Sequence, residues 1–174
     1  MNQIKAIIES LIFVSEMPLT VEKLLEVMGN EVSREDITTA LDDLVREYAG
    51  RQGGVVLRKV AGGYHFRTAE ECASWVKKLK AARATSLSRA ALETLAVIAY
   101  RQPVLRSDIE KIRGVDASGA LKGLLEKNLI RIVGRKDVPG RPIMYGTSRR
   151  FLEVFSLNDL SELPTMKDLE ELEE

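Results

Sequence analysis

The sequence predicts a mainly α chain of α+β character: two tandem winged-helix domains, each a helix-turn-helix with a β-hairpin wing, then an acidic tail. Three observations carry that prediction. Residues 88–114, SRAALETLAVIAYRQPVLRSDIEKIRG, read as two helices around a tight turn. The same punctuation stands 85 positions earlier, where Pro103 falls on Pro18, Gly114 on Gly29, Ile109 on Leu24, Ile112 on Val27 and Ser118 on Ser33. After a further amphipathic helix, each copy continues into two short β-prone runs split by a turn.

In the first copy Ile4, Ile7, Ile8, Leu11 and Ile12 recur at helical spacing, which makes residues 2–15 a helix. Thr20 caps a second helix over 21–28. Ser33 caps a third, with Asp36 in the capping-box position and Ile37, Leu41, Leu44, Val45 and Tyr48 facing inward. Residues 55–60 and 64–68 pair as strands across Ala61-Gly62-Gly63. A connecting helix over 69–82 carries Cys72, Trp75, Val76 and Leu79 on one side, and 80–85 form the linker. Domain one is therefore 1–84.

In the second copy Ser88 caps a helix with Leu92, Leu95, Ala96 and Ala99 at helical spacing. Pro103 ends it, because proline lacks an amide and biases Gln102 away from helix. The next helix carries Ile109 and Ile112 inward and stops at Gly114. Asp116 or Ser118 caps the third, whose Ala120, Leu121, Leu124, Leu125 and Leu129 point inward. Residues 130–134 and 143–147 are strands flanking a wing over 135–142, and Phe151, Leu152 and Phe155 open a closing helix. Domain two is 85–157, and the tail, 158–174, is expected to be disordered.

A formal net charge of zero hides an asymmetry. Residues 1–84 balance 12 basic against 12 acidic side chains, residues 85–157 hold 13 against 7, and 158–174 hold 1 against 7. A basic module beside an acidic tail biases encounters with charged partners. The apolar run 7–14 is interrupted by Glu9 and Ser10 and is too short to span a bilayer, so neither a secretory signal nor a membrane segment is read. Cys72 is the sole cysteine, which excludes an intrachain disulfide and makes a cytoplasmic setting the expectation.

No catalytic constellation is found. His65 is the sole histidine, so no zinc set and no histidine relay can form, and neither metal nor cofactor is expected. Residues 134–140, GRKDVPG, put five residues between the glycines where a phosphate loop needs four followed by Lys and Ser or Thr, and they lie in a hairpin.

A winged helix invites a DNA reading, with the third helix in the major groove. Here the third helix of domain one exposes Glu35, Asp36, Asp42, Asp43 and Glu47, the wrong sign for phosphate. Domain two is better placed, with Arg135, Lys136 and Arg141 in the wing and Arg149 and Arg150 after it, yet its third helix opens Asp116-Ala117-Ser118-Gly119-Ala120, which offers little to base edges. Gly119 and Gly123 instead leave a flat face open to another chain. Protein binding is favoured, DNA contact is expected to be at most weak and non-specific, and a DNA-binding transcription regulator is the alternative.

The stretches LSRAALETLAVIAYRQPVLRSDIEKIRGV and LIRIVGRKDVPGRPIMYGTSRRFLEVFSL closely resemble the segregation and condensation protein B family. The likeness runs over the whole chain and is densest from Ser88 to Leu157. It implies a non-catalytic accessory subunit of bacterial condensin, a complex of a long coiled-coil ATPase with a bridging kleisin. It further implies two winged-helix modules, homodimerisation through the first, kleisin binding mainly through the second, and a place with the nucleoid in chromosome condensation and segregation. Family motif positions fall here on Tyr100, Arg101, Gln102, Pro103, Arg135, Pro139, Gly140 and Arg141, which are the expected partner-binding residues. Leu105 departs from the family pattern, in which Thr is usual; the cap of that helix is expected to move to Ser107, with Glu110 completing a capping box.

Overall fold

The computed structural model describes residues 2–29, 32–80, 86–165 and 168. The chain forms two compact units, Met1–Ala84 with Ser156–Glu174, and Thr85–Phe155. From residue 81 on, the expected linker and the end of the connecting helix lie outside the described residues.

In the first unit, α1 (Asn2–Val14), α2 (Val21–Met28) and α3 (Arg34–Gly50) precede strands β1 (Val55–Val60) and β2 (Gly63–Thr68). Local chemistry starts two of these helices. The Lys23 amide donates to the Thr20 hydroxyl at 3.2 Å, and Ser33 and Asp36 form the reciprocal capping box. Ile8, Ile12, Leu24, Ile37, Leu41 and Leu44 make the core, and Leu57 and Tyr64 close it from the hairpin. Strands β1 and β2 pair antiparallel from Val55 opposite Thr68 to Val60 opposite Gly63. Beyond a short 3-10 turn, α4 (Ala73–Lys80) leaves Trp75 and Leu79 69% and 86% exposed.

The second unit repeats the plan with α5 (Arg89–Arg101), β3 (Val104–Leu105), α6 (Arg106–Arg113), α7 (Ser118–Glu126), β4 (Ile130–Arg135), β5 (Ile143–Thr147) and α8 (Arg149–Phe155). Its sheet runs β3-β5-β4, all antiparallel. The 85-residue offset survives in detail. Leu24 and its counterpart Ile109 are both fully buried, and Leu19, which bridges Tyr64, matches Val104, which pairs with Tyr145.

Several expected orientations are corrected. Ile112 is 56% exposed and its counterpart Val27 55%, so neither faces inward: these eight-residue helices bury one narrow stripe. On α5 the buried set is Thr94, Leu95, Ile98 and Ala99, while Leu92 and Ala96 face outward. Ser107 does not cap α6. That helix starts at Arg106, so Ser107 is already inside it; Leu105 at the cap position has no side-chain acceptor, and the Glu110 carboxylate serves Arg106 Nε at 2.6 Å and the Ala117 amide at 3.1 Å.

Of the expected tail, residues 166, 167 and 169–174 lie outside the described residues. Residues 158–165 are not a featureless acidic end. The Ala61 amide donates to the Leu157 carbonyl at 2.8 Å, and the Gly62 amide to Asn158 Oδ1 at 3.2 Å. Asp159 caps a 3-10 turn over Leu160–Glu162, and Glu162 accepts from the Asn158 amide at 2.7 Å. Hydrogen bonds from Ser161, with Lys59 adding to them, hold the Asp159 carboxyl below the usual carboxylate range. The hairpin tip supplies the cause: Ala61 and Gly62 both lie at positive φ, which points two amides out of the ladder toward any acceptor.

Candidate partner-binding surface

The expected binding residues fall into two groups in the second unit, the end of α5 and the wing. α5 runs to Arg101, with Gln102 as its C-cap in extended conformation and the Gln102–Pro103 peptide cis. Tyr100, Arg101 and Pro103 are exposed.

Gln102 is not. Its Oε1 accepts from the Thr147 amide at 2.8 Å and the Thr147 hydroxyl at 3.1 Å, while Nε2 donates to the Ala99 carbonyl at 3.2 Å. Every polar atom of that amide group serves the fold, joining the end of α5 to the end of β5. Gln102, an expected partner-binding position, is in this structure an internal tie.

The wing is a braced hairpin. The Lys136 amide donates to the Pro142 carbonyl at 2.9 Å and the Arg141 amide to the Val138 carbonyl at 2.9 Å. Arg135 Nη1 reaches the Arg141 carbonyl at 3.1 Å. Gly140 turns the chain at φ +85, and Arg141 follows at φ +39. Arg135, Pro139, Gly140 and Arg141 are all exposed, with Arg135 opposite Ile143 in the ladder.

The ion pairs show where this unit's positive charge resides. Glu93 pairs with Arg89 at 3.0 Å and Arg113 at 3.2 Å, Glu110 and Asp116 with Arg106 at 2.6 and 2.7 Å. Asp108, Glu126 and Glu153 are met by Lys111, Lys122 and Arg150. The chemistry of the pairs agrees. Hydrogen bonds from Arg113 and then Arg89 lower the Glu93 pKa, the Ser118 hydroxyl lowers that of Asp116, and Glu110 raises that of Arg106.

All these partners stand on or beside helices. Among the described residues no carboxylate lies within 4.0 Å of a side-chain nitrogen of Arg101, Lys127, Arg131, Arg135, Lys136 or Arg141. Arg131 and Lys136 were not among the expected partner-binding residues, although the sequence showed Lys136 as a wing cation beside Arg135 and Arg141. The signal was available in the lopsided count over 85–157, but which cations the helical acids neutralise depends on three-dimensional pairing. A shallow groove of about 200 Å³ lies on another face, between Ser88, Ala91, Gly119, Ala120, Gly123 and Lys127.

In the first unit α3 exposes Glu35, Asp36, Asp42 and Glu47, as its sequence pattern indicated, while Asp43 is half-buried and pairs with Arg46 at 2.6 Å. Among the described residues no group of three or more His, Cys, Asp or Glu is placed to hold a metal ion, and no helix is long and apolar enough to cross a membrane.

Residues 6–166 match the family model described as segregation and condensation complex subunit ScpB. A segregation and condensation protein B of Syntrophotalea carbinolica is 51% identical over 170 residues, covering 98% of this chain and 85% of that protein. One of Myxococcus xanthus is 46% identical over 171 residues, covering 98% of this chain and 51% of the longer relative. Among solved structures, a dimer of a ScpB N-terminal domain complexed with ScpA peptide is similar at 26% identity and a TM-score of 0.41, over 45% of this chain and 95% of that one.

Proposed function

The chain belongs to the segregation and condensation complex subunit ScpB family, and from that premise we propose that it is a non-catalytic subunit that binds a kleisin and, through it, the coiled-coil ATPase of a bacterial condensin. The observation that carries the reading is the family match over residues 6–166. The second unit holds the kleisin with Tyr100, Arg101 and Pro103 at the end of α5 and with Arg135, Pro139, Gly140 and Arg141 on the wing. The fold supports this, because Gln102 fixes the end of α5 to β5 and the wing is braced across its loop. Both surfaces are thus presented with little ordering left to do on binding. The protein acts in the cytoplasm, at the nucleoid, through that complex.

The first unit makes a homodimer. Support comes from the apolar side chains it leaves in water: Trp75 and Leu79 on α4, and Phe13, Val14 and Met17 at the end of α1. A stable interface buries on the order of 1,200–2,000 Å² in total, and side chains of this kind furnish its core.

Co-purification of the tagged full chain from its native cell tests the complex. Kleisin and ATPase in the eluate are the expected result, and their absence from an eluate in which the chain is folded sinks the reading. Light scattering tests the dimer, with a mass twice that of the 19.4 kDa chain expected; the mass of one chain at tens of micromolar rejects it.

A further inference from the structure

Resting on the kleisin reading, we infer that the wing of the second unit recognises a segment that is both acidic and apolar, through Arg131, Arg135, Lys136 and Arg141 with Ile132 and Val138 between them.

The argument starts from neutralisation. Six of the seven carboxylates in this unit are engaged by cations of the helices or their ends, which leaves Asp137 as the one acid on the wing. The four cations of the β4–β5 hairpin therefore face a single carboxylate, Asp137, and leave that hairpin a net charge of +3. Three are guanidinium groups, whose paired donors match a carboxylate at two points. The backbone bonds across the loop hold their Cα positions before any partner arrives.

A positive hairpin suits a duplex as well as a peptide, and two observations favour the peptide. Ile132, in β4 between Arg131 and Arg135, and Val138, in the loop between Lys136 and Arg141, are 53% and 40% exposed. A phosphate backbone gives such side chains nothing, whereas a segment mixing carboxylates with aliphatic residues covers them. Asp116, at the start of α7, would also face the phosphates of any duplex lying along that helix, and α7 itself opens Ser118-Gly119-Ala120.

The test titrates the full chain with the purified kleisin by calorimetry at low and high salt. Binding is expected to weaken by about tenfold or more between roughly 0.05 and 0.3 M salt, because exposed charges are screened within a Debye length. The variant Arg131→Glu, Arg135→Glu, Arg141→Glu is expected to bind at least about tenfold more weakly and to lose most of the salt dependence. Val138→Ser is expected to weaken binding severalfold at both salts, as loss of an apolar contact should. Thermal melts accompany each variant. A carbodiimide cross-link from the Lys136 amine to kleisin carboxylates, made on the unaltered chain and mapped by mass spectrometry, needs no variant at all. If the kleisin binds the parent but the folded charge-reversed variant binds equally well, or no cross-link reaches Lys136, this surface is wrong while the kleisin reading stands. Failure of the parent to bind overturns both. A random-sequence duplex that displaces the kleisin and binds the wing more tightly also overturns the inference.

Discussion

The side-chain oxygen of Gln102 accepts two hydrogen bonds from one residue, Thr147, through its amide at 2.8 Å and its hydroxyl at 3.1 Å, across 45 positions of sequence. Thr147 is buried, so without that oxygen its amide has no water to turn to. Gln102→Ala is therefore expected to destabilise the second unit by about 1–3 kcal/mol, the usual cost of an orphaned buried donor. Urea melts monitored in the second unit check this; an unchanged midpoint would show that the bond contributes nothing net. Kleisin affinity per folded molecule should change far less than it does on charge reversal at the wing.

Gly63→Ala tests the closest backbone approach in the first unit. An added Cβ would stand 2.8 Å from the carbonyl carbon and oxygen of Leu19 and 2.9 Å from the carbonyl carbon of Pro18. Those atoms are main chain and form the Leu19–Tyr64 bridge, so they cannot rotate aside. Overpacking of this kind costs about 1–3 kcal/mol. Gly53→Ala, whose Cβ meets nothing nearer than 3.8 Å, is the control and should melt within about 1 kcal/mol of the parent.

At Gly123, inside α7, an added methyl meets nothing within 4 Å, and the same holds at Gly119. Alanine at Gly123 should raise the stability of the second unit by about 0.5–1 kcal/mol, the helical penalty of glycine removed. If another chain packs along the groove between α5 and α7, the same variant binds it more weakly while melting higher. Opposite signs in those two measurements identify a partner contact; parallel signs exclude one at this groove.

Asp36 sets an acid limit on the first unit. Hydrogen bonds from the Ser33 hydroxyl and amide hold its carboxyl below the usual carboxylate range in the folded state. A depressed carboxyl stabilises the fold fully above its unfolded pKa, and that contribution drains away as pH falls through the folded value. Asp36→Asn is thus expected to lower the melting temperature at neutral pH and to differ less from the parent as acid is added. A difference that stays constant down to strongly acidic pH would show that the capping box carries no proton-linked stability.

What was legible in the sequence was local. Thr20, Ser33 and Ser88 each accept from an amide three residues on, so their cap chemistry is complete within one helical turn. Strands 55–60 and 143–147 stood out for the same reason, being short β-prone runs beside turn residues. The rotation of α5 was not legible, because its apolar residues run almost all round and offer no polar face to orient it. Nor was β3, since two residues carry no periodicity. The Gln102 tie joins positions that only the folded sheet brings together. On the wing, Arg135 and Arg141 were visible as charges, but the helical ion pairing that takes up the acids elsewhere in the unit was not.

The contact of Leu157 and Asn158 with the Ala61–Gly62 tip has a thermodynamic corollary. Residues 85–155 leave the first unit and the chain then returns to it, so the C-terminal end is energetically a property of the N-terminal hairpin. A ligand that takes the Leu157 carbonyl or the Asn158 side-chain oxygen must first displace it from the Ala61 or Gly62 amide, and its affinity is reduced by whatever free energy that attachment holds. By reciprocity, hydrogen exchange at Ala61 reads out occupancy of the far end of the polypeptide.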